Sequence, residues 1–441
     1  MTTRQSEIIE LIRKEVKPAL GCTEPIAVAL AVAKAMEVMD ERADRSPQWR
    51  MHDEFCINIE VSGNILKNGM GVGIPGTGMV GLHIAAALGA SCGKSAYGLE
   101  VLSELDDEAV RRAKTLCAES KINISLADTD RKLFIKATVK HSDGHSAGAT
   151  IEDDHDNITE TSYDSRTLSS HRKDACTSEV SEHKGTLDYH LTVKEIMEFI
   201  SEIDFEDIRF ILESRTLNMA LAHEGLSGNY GLRVGKAISS NDNQEVFGDD
   251  FLCYAMAMTA AASDARMAGC TLAAMSNSGS GNQGITATMP VIAYSIKYGT
   301  DDERLARALT LSHLVAIHIK GYLGKLSALC GCVIASTGSA CALVYLRGGD
   351  YGQVCSAIKN MIGNITGMVC DGAKVGCAMK VASGVSCALQ SAVLAREGVC
   401  ISSHDGIIED DIEKTIQNLG KIGSVGMQNT DSMILDIMVC K

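Results

Sequence analysis

Helical apolar spacing over the second half of the chain is the feature that most constrains the fold. From about residue 192 onwards, nearly every segment carries apolar residues at the spacing of one helix face. Alanine and glycine are frequent there and aromatic residues are scarce, so the helices can approach one another closely. The sequence therefore predicts an α-helical domain over residues 196–441.

The first half contains two stretches in which apolar and polar residues alternate, as in strands with one buried face. They are EFCINIEVSG (54–63) and KLFIKATVKHSDGHSAGATIEDDHDNITETSYD (132–164), the second with turn residues that favour a meander. Helical spacing occurs between them, in MVGLHIAAALGA and LDDEAVRRAKTLCAES. Residues 51–195 are thus predicted as a smaller α/β domain of antiparallel strands and helices, ending in a polar linker (169–190). The fold class is predicted as α+β.

Length and charge exclude several classes of protein. A chain of 441 residues can form two or three domains, and its net charge of −15 argues against a nucleic-acid partner. The first 20 residues mix charges into an apolar pattern, unlike a signal peptide. The longest apolar run, CGCVIASTGSACALVYL, is too short to span a bilayer. These features predict a cytoplasmic protein without a membrane partner.

The chain has sixteen cysteines, and in a cytoplasmic protein these are predicted to be reduced thiols. Cys330 lies in KLSALCGC, and Cys370 and Cys377 lie six residues apart in the glycine-containing stretch MVCDGAKVGCAMK. Glycines beside the thiols would let backbone amides approach sulfur, as at iron–sulfur clusters. Zinc binding or plain burial remains open on these residues alone. Another thiol, Cys22, falls at the predicted N-terminus of a helix that begins near Pro25.

A polar loop, SNSGSGNQG, is the other segment with functional character. Its glycines allow backbone N–H groups to converge, and its side chains add neutral hydrogen-bonding groups. The loop is predicted to bind a carboxylate or a similar small anion through Ser276, Asn277, Ser278, Ser280, Asn282 and Gln283. The alternative is a glycine-rich helix connection without a ligand.

Other motifs give no further site. Two matches to G-x-G-x-x-G, beginning at Gly71 and Gly279, lack the strand before the loop or carry a proline inside it. His313 and His318 are five residues apart, which is not the spacing of a helical zinc pair. Both histidines are predicted to be packing or surface residues.

Several long motifs, in order along the chain, carry a resemblance to a known family. They are KPALGCTEPIAVAL, SGNILKNGMGVGIPGTGMVG, HEGLSGNYGL, AASDARMAG, MSNSGSGNQGITATMP, GKLSALC and GMVCDGAKVGCAMK. Together they resemble the UPF0597 family, relatives of the L-cysteine desulfidases and of the α chain of iron–sulfur L-serine dehydratases. The resemblance implies a [4Fe–4S] enzyme, independent of pyridoxal phosphate, that eliminates a β-substituent from an L-amino acid.

The same resemblance implies roles for individual thiols. The cluster ligands would be Cys330, Cys370 and Cys377, with Cys332 as a fallback. Cys22 matches the thiol of the Gly-Cys-Thr-Glu-Pro segment, for which a catalytic base is implied, and a helix N-terminus favours its thiolate. A fourth cluster ligand and a packing residue are the alternatives for Cys22. The C-terminal Cys440 has no predicted role beyond a speculative resting-state ligand.

The implied fold brings residues 1–50 onto the helical half, so these residues are grouped with the catalytic domain. The predicted function is L-cysteine desulfidase activity, which releases sulfide, ammonia and pyruvate. L-Serine dehydratase activity and a non-catalytic iron–sulfur or redox-sensing role are the alternatives. The predicted partner is therefore a small amino acid, L-cysteine or L-serine, and a homo-oligomer remains open. Lys320, Lys325 and Lys374 are additional candidates for binding its carboxylate.

Overall fold

The computed structural model describes residues 1–43, 49–52, 54–170, 191–324 and 327–440. It divides into two compact units. The helical unit comprises Met1–Ala19, His183–Asp371 and Val375–Ile434, and the sheet unit comprises Leu20–Glu182, Gly372–Lys374 and Leu435–Lys441. Helices dominate, and one six-stranded sheet accompanies them, which confirms the predicted α+β class.

The helices and strands, in chain order, are as follows. The helices are α1 (Thr3–Glu15), α2 (Thr23–Arg42), α3 (Trp49–His52), α4 (Gly63–Gly69), α5 (Leu82–Cys92), α6 (Asp107–Ala118), α7 (Val193–Glu202), α8 (Phe205–Ile208), α9 (Glu213–Ser227), α10 (Val234–Ser239), α11 (Gln244–Phe247), α12 (Phe251–Met267), α13 (Gly281–Tyr298), α14 (Asp302–Leu323), α15 (Gly331–Leu346), α16 (Tyr351–Ile365), α17 (Cys377–Arg396), α18 (Ile412–Lys421) and α19 (Gln428–Val439). The strands are β1 (Pro18–Ala19), β2 (Phe55–Val61), β3 (Ile122–Leu126), β4 (Phe134–His141), β5 (Ser146–Glu152), β6 (Ile158–Tyr163), β7 (Arg166–Ser170) and β8 (Ala274–Met275).

The sheet of the sheet unit has the order β3-β2-β4-β5-β6-β7. The pairs from β2–β4 through β6–β7 are antiparallel, as predicted from the alternating pattern, whereas β3 pairs parallel with β2. Sequence analysis missed β3, although its residues INISL alternate between apolar and polar; in the structure only Ile122 of this strand is buried. Along β2, by contrast, Phe55, Ile57, Ile59 and Val61 alternate with more exposed residues.

Helix α2 belongs to the sheet unit, although residues 1–50 were predicted to group with the helical half. It packs against β4, β5, β6 and α5, and 14 of its 20 residues are buried. Small residues make this possible, because a β-carbon on Gly89 of α5 would lie 2.3 Å from the Ala29 carbonyl oxygen. The unit boundary therefore falls between Ala19 and Leu20, and only α1 and β1 of the N-terminal segment join the helical unit.

The helical unit is built around α15, which packs against α13, α14, α16 and α17. Of its residues, all but Gly331 and Tyr345 are buried, so the apolar run noted in the sequence is a core helix. Gly338 of α15 lies against α14, where an added β-carbon would come within 2.3 Å of the Ser312 carbonyl oxygen. The predicted helical character of residues 196–441 is confirmed for the part of that range that the structure describes.

Of the described helices, α17 alone has the length and apolar composition required to cross a bilayer. In the most apolar stretch of α17, 44% of the residues are buried inside the protein.

The close approach of α14 and α15 generates a prediction. We expect Gly338→Ala to lower the free energy of unfolding by about 2 kcal/mol, because the added methyl group must push two buried helices apart. The matched control is Gly367→Ala, at an exposed glycine where a β-carbon meets no atom within 4 Å. Denaturation midpoints of both variants measure the difference. Equal midpoints for the two variants would contradict the packing described here.

Candidate active site in the helical unit

Two of the predicted cluster thiols lie on neighbouring backbone segments. The Cys330 N–H donates to the Met368 carbonyl at 3.0 Å, and the Cys370 N–H donates to the Ala328 carbonyl at 2.6 Å. Leu329 and Val369 form a bridge between these bonds. The backbone pairing therefore holds Cys330 and Cys370 side by side.

The third thiol, Cys377, is the first residue of α17, and Cys330 immediately precedes α15, which packs against α17. All three thiols are half-buried. Burial raises the pKa of the Cys330 thiol to about 12, and the nearby Cys370 and Cys377 raise it further. The structure thus brings the three predicted ligands close enough to affect one another's charge, and burial favours the neutral thiol at Cys330.

Lys380, one turn after Cys377 in α17, places a positive charge beside these thiols. Its ammonium donates to the Val369 carbonyl at 2.7 Å and to the Asp371 carboxylate. Burial alone would lower the pKa of Lys380, but the bond to Asp371 and the thiols of Cys330 and Cys370 raise it. The lysine therefore stays charged and favours thiolates around it. Sequence analysis missed Lys380, although its spacing from Cys377 was a visible signal.

Cys332 has a different environment from the three half-buried thiols. Its Sγ donates to the Lys380 carbonyl at 3.1 Å, and a β-carbon on Gly384 would lie 2.4 Å from that sulfur. Burial raises the pKa of the Cys332 thiol well above the usual range of cysteine. These contacts are those of a packing residue between α15 and α17.

The donor set can be tested against the two kinds of metal group left open by the sequence. Within the described residues, no three His, Cys, Asp or Glu side chains are close enough to hold a single metal ion. A cluster needs thiolates that are further apart, because each thiolate binds a different iron atom. Three neighbouring thiols on glycine-containing turns, with a lysine beside them, therefore fit a cluster better than a zinc ion.

The polar loop is held in place by the segment before β1. Ser276 donates from both its N–H and its Oγ to the Lys17 carbonyl, at 2.8 and 2.6 Å, and the Ser278 N–H donates to the Glu15 carbonyl at 2.8 Å. Asn277 and Ser280 exchange two backbone hydrogen bonds. The turn between them has positive φ at Ser278 (47°) and Gly279 (78°), which explains a glycine at the second position.

Asn277 is the buried centre of a hydrogen-bond network. Its Nδ2 donates to Nδ1 of His313 at 2.9 Å and to the His313 carbonyl at 3.2 Å. Its Oδ1 accepts from Ser278 Oγ at 3.1 Å and from Gln283 Nε2 at 2.6 Å. Both polar atoms of Asn277 are therefore committed to the protein, as is the hydroxyl of Ser276. These two residues shape the loop, and they are not exposed to a ligand.

Ser280 and Asn282 remain at the half-buried entrance of the loop, where α13 begins. Ser280 caps the helix by accepting from the Gln283 N–H at 3.3 Å, and the N–H groups of Gly281 and Asn282 have no intrahelical acceptor. Arg266 donates to Asn282 Oδ1 at 3.3 Å, and its Nε would lie 2.1 Å from a β-carbon on Gly281. A helix N-terminus above a buried guanidinium favours an anion such as a carboxylate.

Gln283 connects the loop to the segments that carry Cys330, Cys370 and Cys377, which are called the thiol turn below. Its Oε1 lies 3.0 Å from the position that a β-carbon on Gly331 would take, and Gly331 directly follows Cys330. Only a glycine can occupy that position without a contact closer than most side chains make. The predicted anion-binding loop and the thiol turn are therefore adjacent in the helical unit.

Two further motifs of the sequence lie in the same unit. A β-carbon on Gly231, whose φ is 53°, would lie 3.3 Å from the Val375 side chain, two residues before Cys377. The turn is fixed by Asp264, which accepts from the Gly235 N–H at 3.0 Å. Burial raises the pKa of Asp264 to about 6, against the effect of the backbone donors at 232–235. The segments HEGLSGNYGL and AASDARMAG thus support the thiol turn.

Cys22 lies in the sheet unit, at the N-cap position of α2, which confirms its predicted place at a helix N-terminus. Its Sγ donates to Oε2 of Glu24 at 3.1 Å, and Asn68 donates to the other oxygen of that carboxylate at 2.9 Å. Burial alone would raise the pKa of Glu24, but His155, Cys22 and Asn68 lower it overall. The carboxylate of Glu24 is therefore ionised and accepts a hydrogen bond from the Cys22 thiol. Sequence analysis missed Glu24, although a glutamate at the start of an alanine-rich buried helix was a signal.

The remaining predicted residues are placed as follows. Lys374 is in the sheet unit, where it bridges to Gly71, and Lys320 is in the last turn of α14. Lys325 lies outside the described residues, as does the predicted linker from residue 171 onwards. Cys440 is exposed in the sheet unit.

The effect of His313 on the stability of the folded protein depends on pH. It is fully buried, and burial lowers its pKa from 6.5 to about 3. Because Nδ1 accepts from Asn277, the ring proton is on Nε2, which has no hydrogen-bond partner among the described residues. The pKa of His313 is lower in the folded protein than in the unfolded chain, so the unfolded chain binds the proton first as the pH falls. The stability that the neutral ring contributes is therefore complete above pH 6.5 and is lost as the pH falls towards 3.

We therefore expect wild-type protein to lose about 2 kcal/mol of stability through His313 between pH 7 and pH 5. In His313→Gln this pH-dependent loss should shrink by about that amount, whatever the variant does to absolute stability. The matched control, His404→Gln at an exposed histidine, should leave the pH dependence unchanged. Denaturation midpoints at the two pH values measure both, and an unaltered difference in His313→Gln would contradict a buried neutral ring.

Comparison with known proteins is consistent with these motifs. The family model described as serine dehydratase alpha chain matches residues 80–436. Proteins named UPF0597 protein from Oleidesulfovibrio alaskensis, Phocaeicola vulgatus and Parabacteroides distasonis are 48%, 47% and 47% identical to this chain. The alignments cover 99%, 99% and 100% of this chain and 98%, 98% and 99% of the relatives. The chain therefore belongs to the UPF0597 family, within the serine dehydratase α-chain family.

Proposed function

We propose that the protein is an iron–sulfur-dependent lyase that eliminates the β-substituent of a small L-amino acid. The observation that carries the proposal is the contact of Gln283 with Gly331, because it joins an anion-binding loop to a turn of three thiols. A carboxylate site beside a set of metal ligands would allow a metal group to activate the β-substituent of a bound amino acid. Membership of the serine dehydratase α-chain family supports the reaction class.

In this proposal Cys330, Cys370 and Cys377 would hold a [4Fe–4S] cluster, which would supply a Lewis acid to activate the β-substituent of the substrate. The loop supplies binding energy and orientation: the N–H groups of Gly281 and Asn282 and the Arg266 charge hold the carboxylate. Lys380 offsets the negative charge of the thiolates. Pyridoxal phosphate is not required.

The proton steps are assigned to the chain's own residues. Cys22 is assigned as the base that takes the α-proton in its thiolate form; in the structure its thiol donates to Oε2 of Glu24. The Cβ–S or Cβ–O bond breaks with its electrons on the leaving group, which receives the proton that Cys22 removed and departs as hydrogen sulfide from L-cysteine or as water from L-serine. The resulting enamine hydrolyses to pyruvate and ammonia. Cys22 as a fourth cluster ligand remains the competing assignment.

We favour L-cysteine as the substrate, on the likeness of the motifs to cysteine desulfidases, with L-serine as the alternative. The matching family model favours L-serine, since serine is the substrate in its description. A non-catalytic iron–sulfur protein would bind a cluster without turnover. A free amino acid as substrate agrees with the proposed cytoplasmic location.

The proposed ligand set predicts iron content. Protein purified without air should contain iron and acid-labile sulfide, and Cys330→Ser, Cys370→Ser and Cys377→Ser should each lose most of both, because a serine hydroxyl replaces a thiolate. Cys332→Ser is the matched control, since the same change falls on a thiol that packs against Gly384, and it should retain the iron. If a folded Cys332→Ser variant lost as much iron as the other three variants, the proposed ligand set would be wrong. If wild-type protein purified without air contained no iron, the proposal would be refuted.

The role of Cys22 predicts a separation of cluster and turnover. We expect Cys22→Ser to keep its iron but to lose pyruvate formation from L-cysteine and L-serine by about 100-fold or more, the usual contribution of a general base. Cys56→Ser, on a half-buried thiol of β2 in the same unit, should keep full activity. Loss of iron in Cys22→Ser would instead assign Cys22 as a ligand, and unchanged turnover would leave it as a packing residue.

A further inference from the structure

The orientation of the Gln283 amide is fixed by a chain of hydrogen bonds that begins at a backbone carbonyl. The His313 carbonyl can only accept, so the Asn277 side chain must place its Nδ2 there, at 3.2 Å. The same nitrogen donates to His313 Nδ1 at 2.9 Å. Asn277 Oδ1 must therefore face the other way, towards Gln283.

Gln283 then has no freedom to rotate its amide. Its Nε2 donates to Asn277 Oδ1 at 2.6 Å, and exchange of Nε2 and Oε1 would set two acceptor oxygens against each other. Oε1 consequently faces the other way, towards Gly331 beside Cys330. The side chain is only 2% exposed, and its one recorded hydrogen bond to a described residue is made by Nε2, not by Oε1. A nearly buried amide oxygen thus points at the thiol turn without a donor.

This oxygen differs in character from the entrance of the loop. Gly281 and Asn282 present donors and lie above the Arg266 guanidinium, which suits an anion. Gln283, one residue further along the same helical turn, presents only an acceptor, which would repel a carboxylate. The two sites are adjacent, and they have opposite polarity.

We propose that Gln283 is a specificity-determining residue whose Oε1 accepts a hydrogen bond from the α-ammonium group of the substrate. The carboxylate then occupies the neighbouring N-terminus of α13. This reverses the part that Gln283 has in the anion cradle predicted from the sequence, and it rests on the proposed function only in taking an amino acid as the ligand. A carboxylic acid without the ammonium group would leave the buried oxygen unpaired, and such a loss gives strong discrimination.

Binding of L-alanine and propionate tests this inference, because the two differ at the ammonium group and neither carries a β-leaving group. Calorimetry on full-length protein purified without air should show L-alanine binding about tenfold more tightly than propionate, or better. Gln283→Met should reduce that ratio to about threefold or less, because the acceptor is lost, and leave propionate affinity nearly unchanged. Gln390→Met, the same change at an exposed glutamine of α17, should keep the wild-type ratio.

Two results would overturn the inference. One is a wild-type protein that binds propionate as tightly as L-alanine or binds neither, a result that requires no variant to fold. The other is a folded Gln283→Met protein, checked by its circular dichroism spectrum, that keeps the full preference. Turnover assays on the same samples separate this from the proposed lyase activity. A Gln283-dependent preference without turnover would refute the lyase alone, and turnover with an unchanged preference would refute the ammonium site alone.

Discussion

The buried amide of Asn277 is the interaction on which the candidate site depends. Its two polar atoms make four hydrogen bonds, which tie the loop turn, α13 and α14 together in an interior without water contact. A buried amide that lost a partner would carry a desolvation cost, so each of the four bonds helps to hold the loop in place. This gives the loop a single shape and gives the Gln283 amide a single orientation.

The segments that carry Cys330, Cys370 and Cys377 show the opposite balance, since their charges are not compensated within the protein to the same extent. Burial favours the neutral form of Cys330, and its thiol neighbours add repulsion as soon as more than one thiolate forms. Lys380 and the N-termini of α15 and α17 act in the other direction and favour negative charge. Such a turn is stable with protonated thiols and gains most from a multiply charged cation, which is the physical reason to expect a metal group there.

The sheet unit contains a pair of titratable residues, Cys22 and Glu24, so Cys22 is not an isolated thiol. Cys22 has a helix N-terminus that favours thiolate, and it also has Glu24, which is buried and held ionised by its surroundings. The Cys22 thiol donates to this carboxylate, so the proton on Cys22 and the charge on Glu24 are coupled. The motif Gly-Cys-Thr-Glu-Pro places both residues within the first turn of α2, which explains why the cysteine and the glutamate occur in the same short segment.

The sequence by itself determined the elements with regular patterns: the helical second half, the antiparallel strands of the sheet, and Cys22 at the start of a helix. It also indicated the two segments of the site, because glycines and hydrogen-bonding side chains are dense there. Tertiary structure decided which atoms those segments present. The membership of α2 in the sheet unit, the parallel strand β3, the packing of Cys332 and the inward amide of Asn277 all depend on contacts between residues far apart in the chain. Local patterns report backbone preference and burial, whereas the direction of a hydrogen bond is set by the partner that folding brings to it.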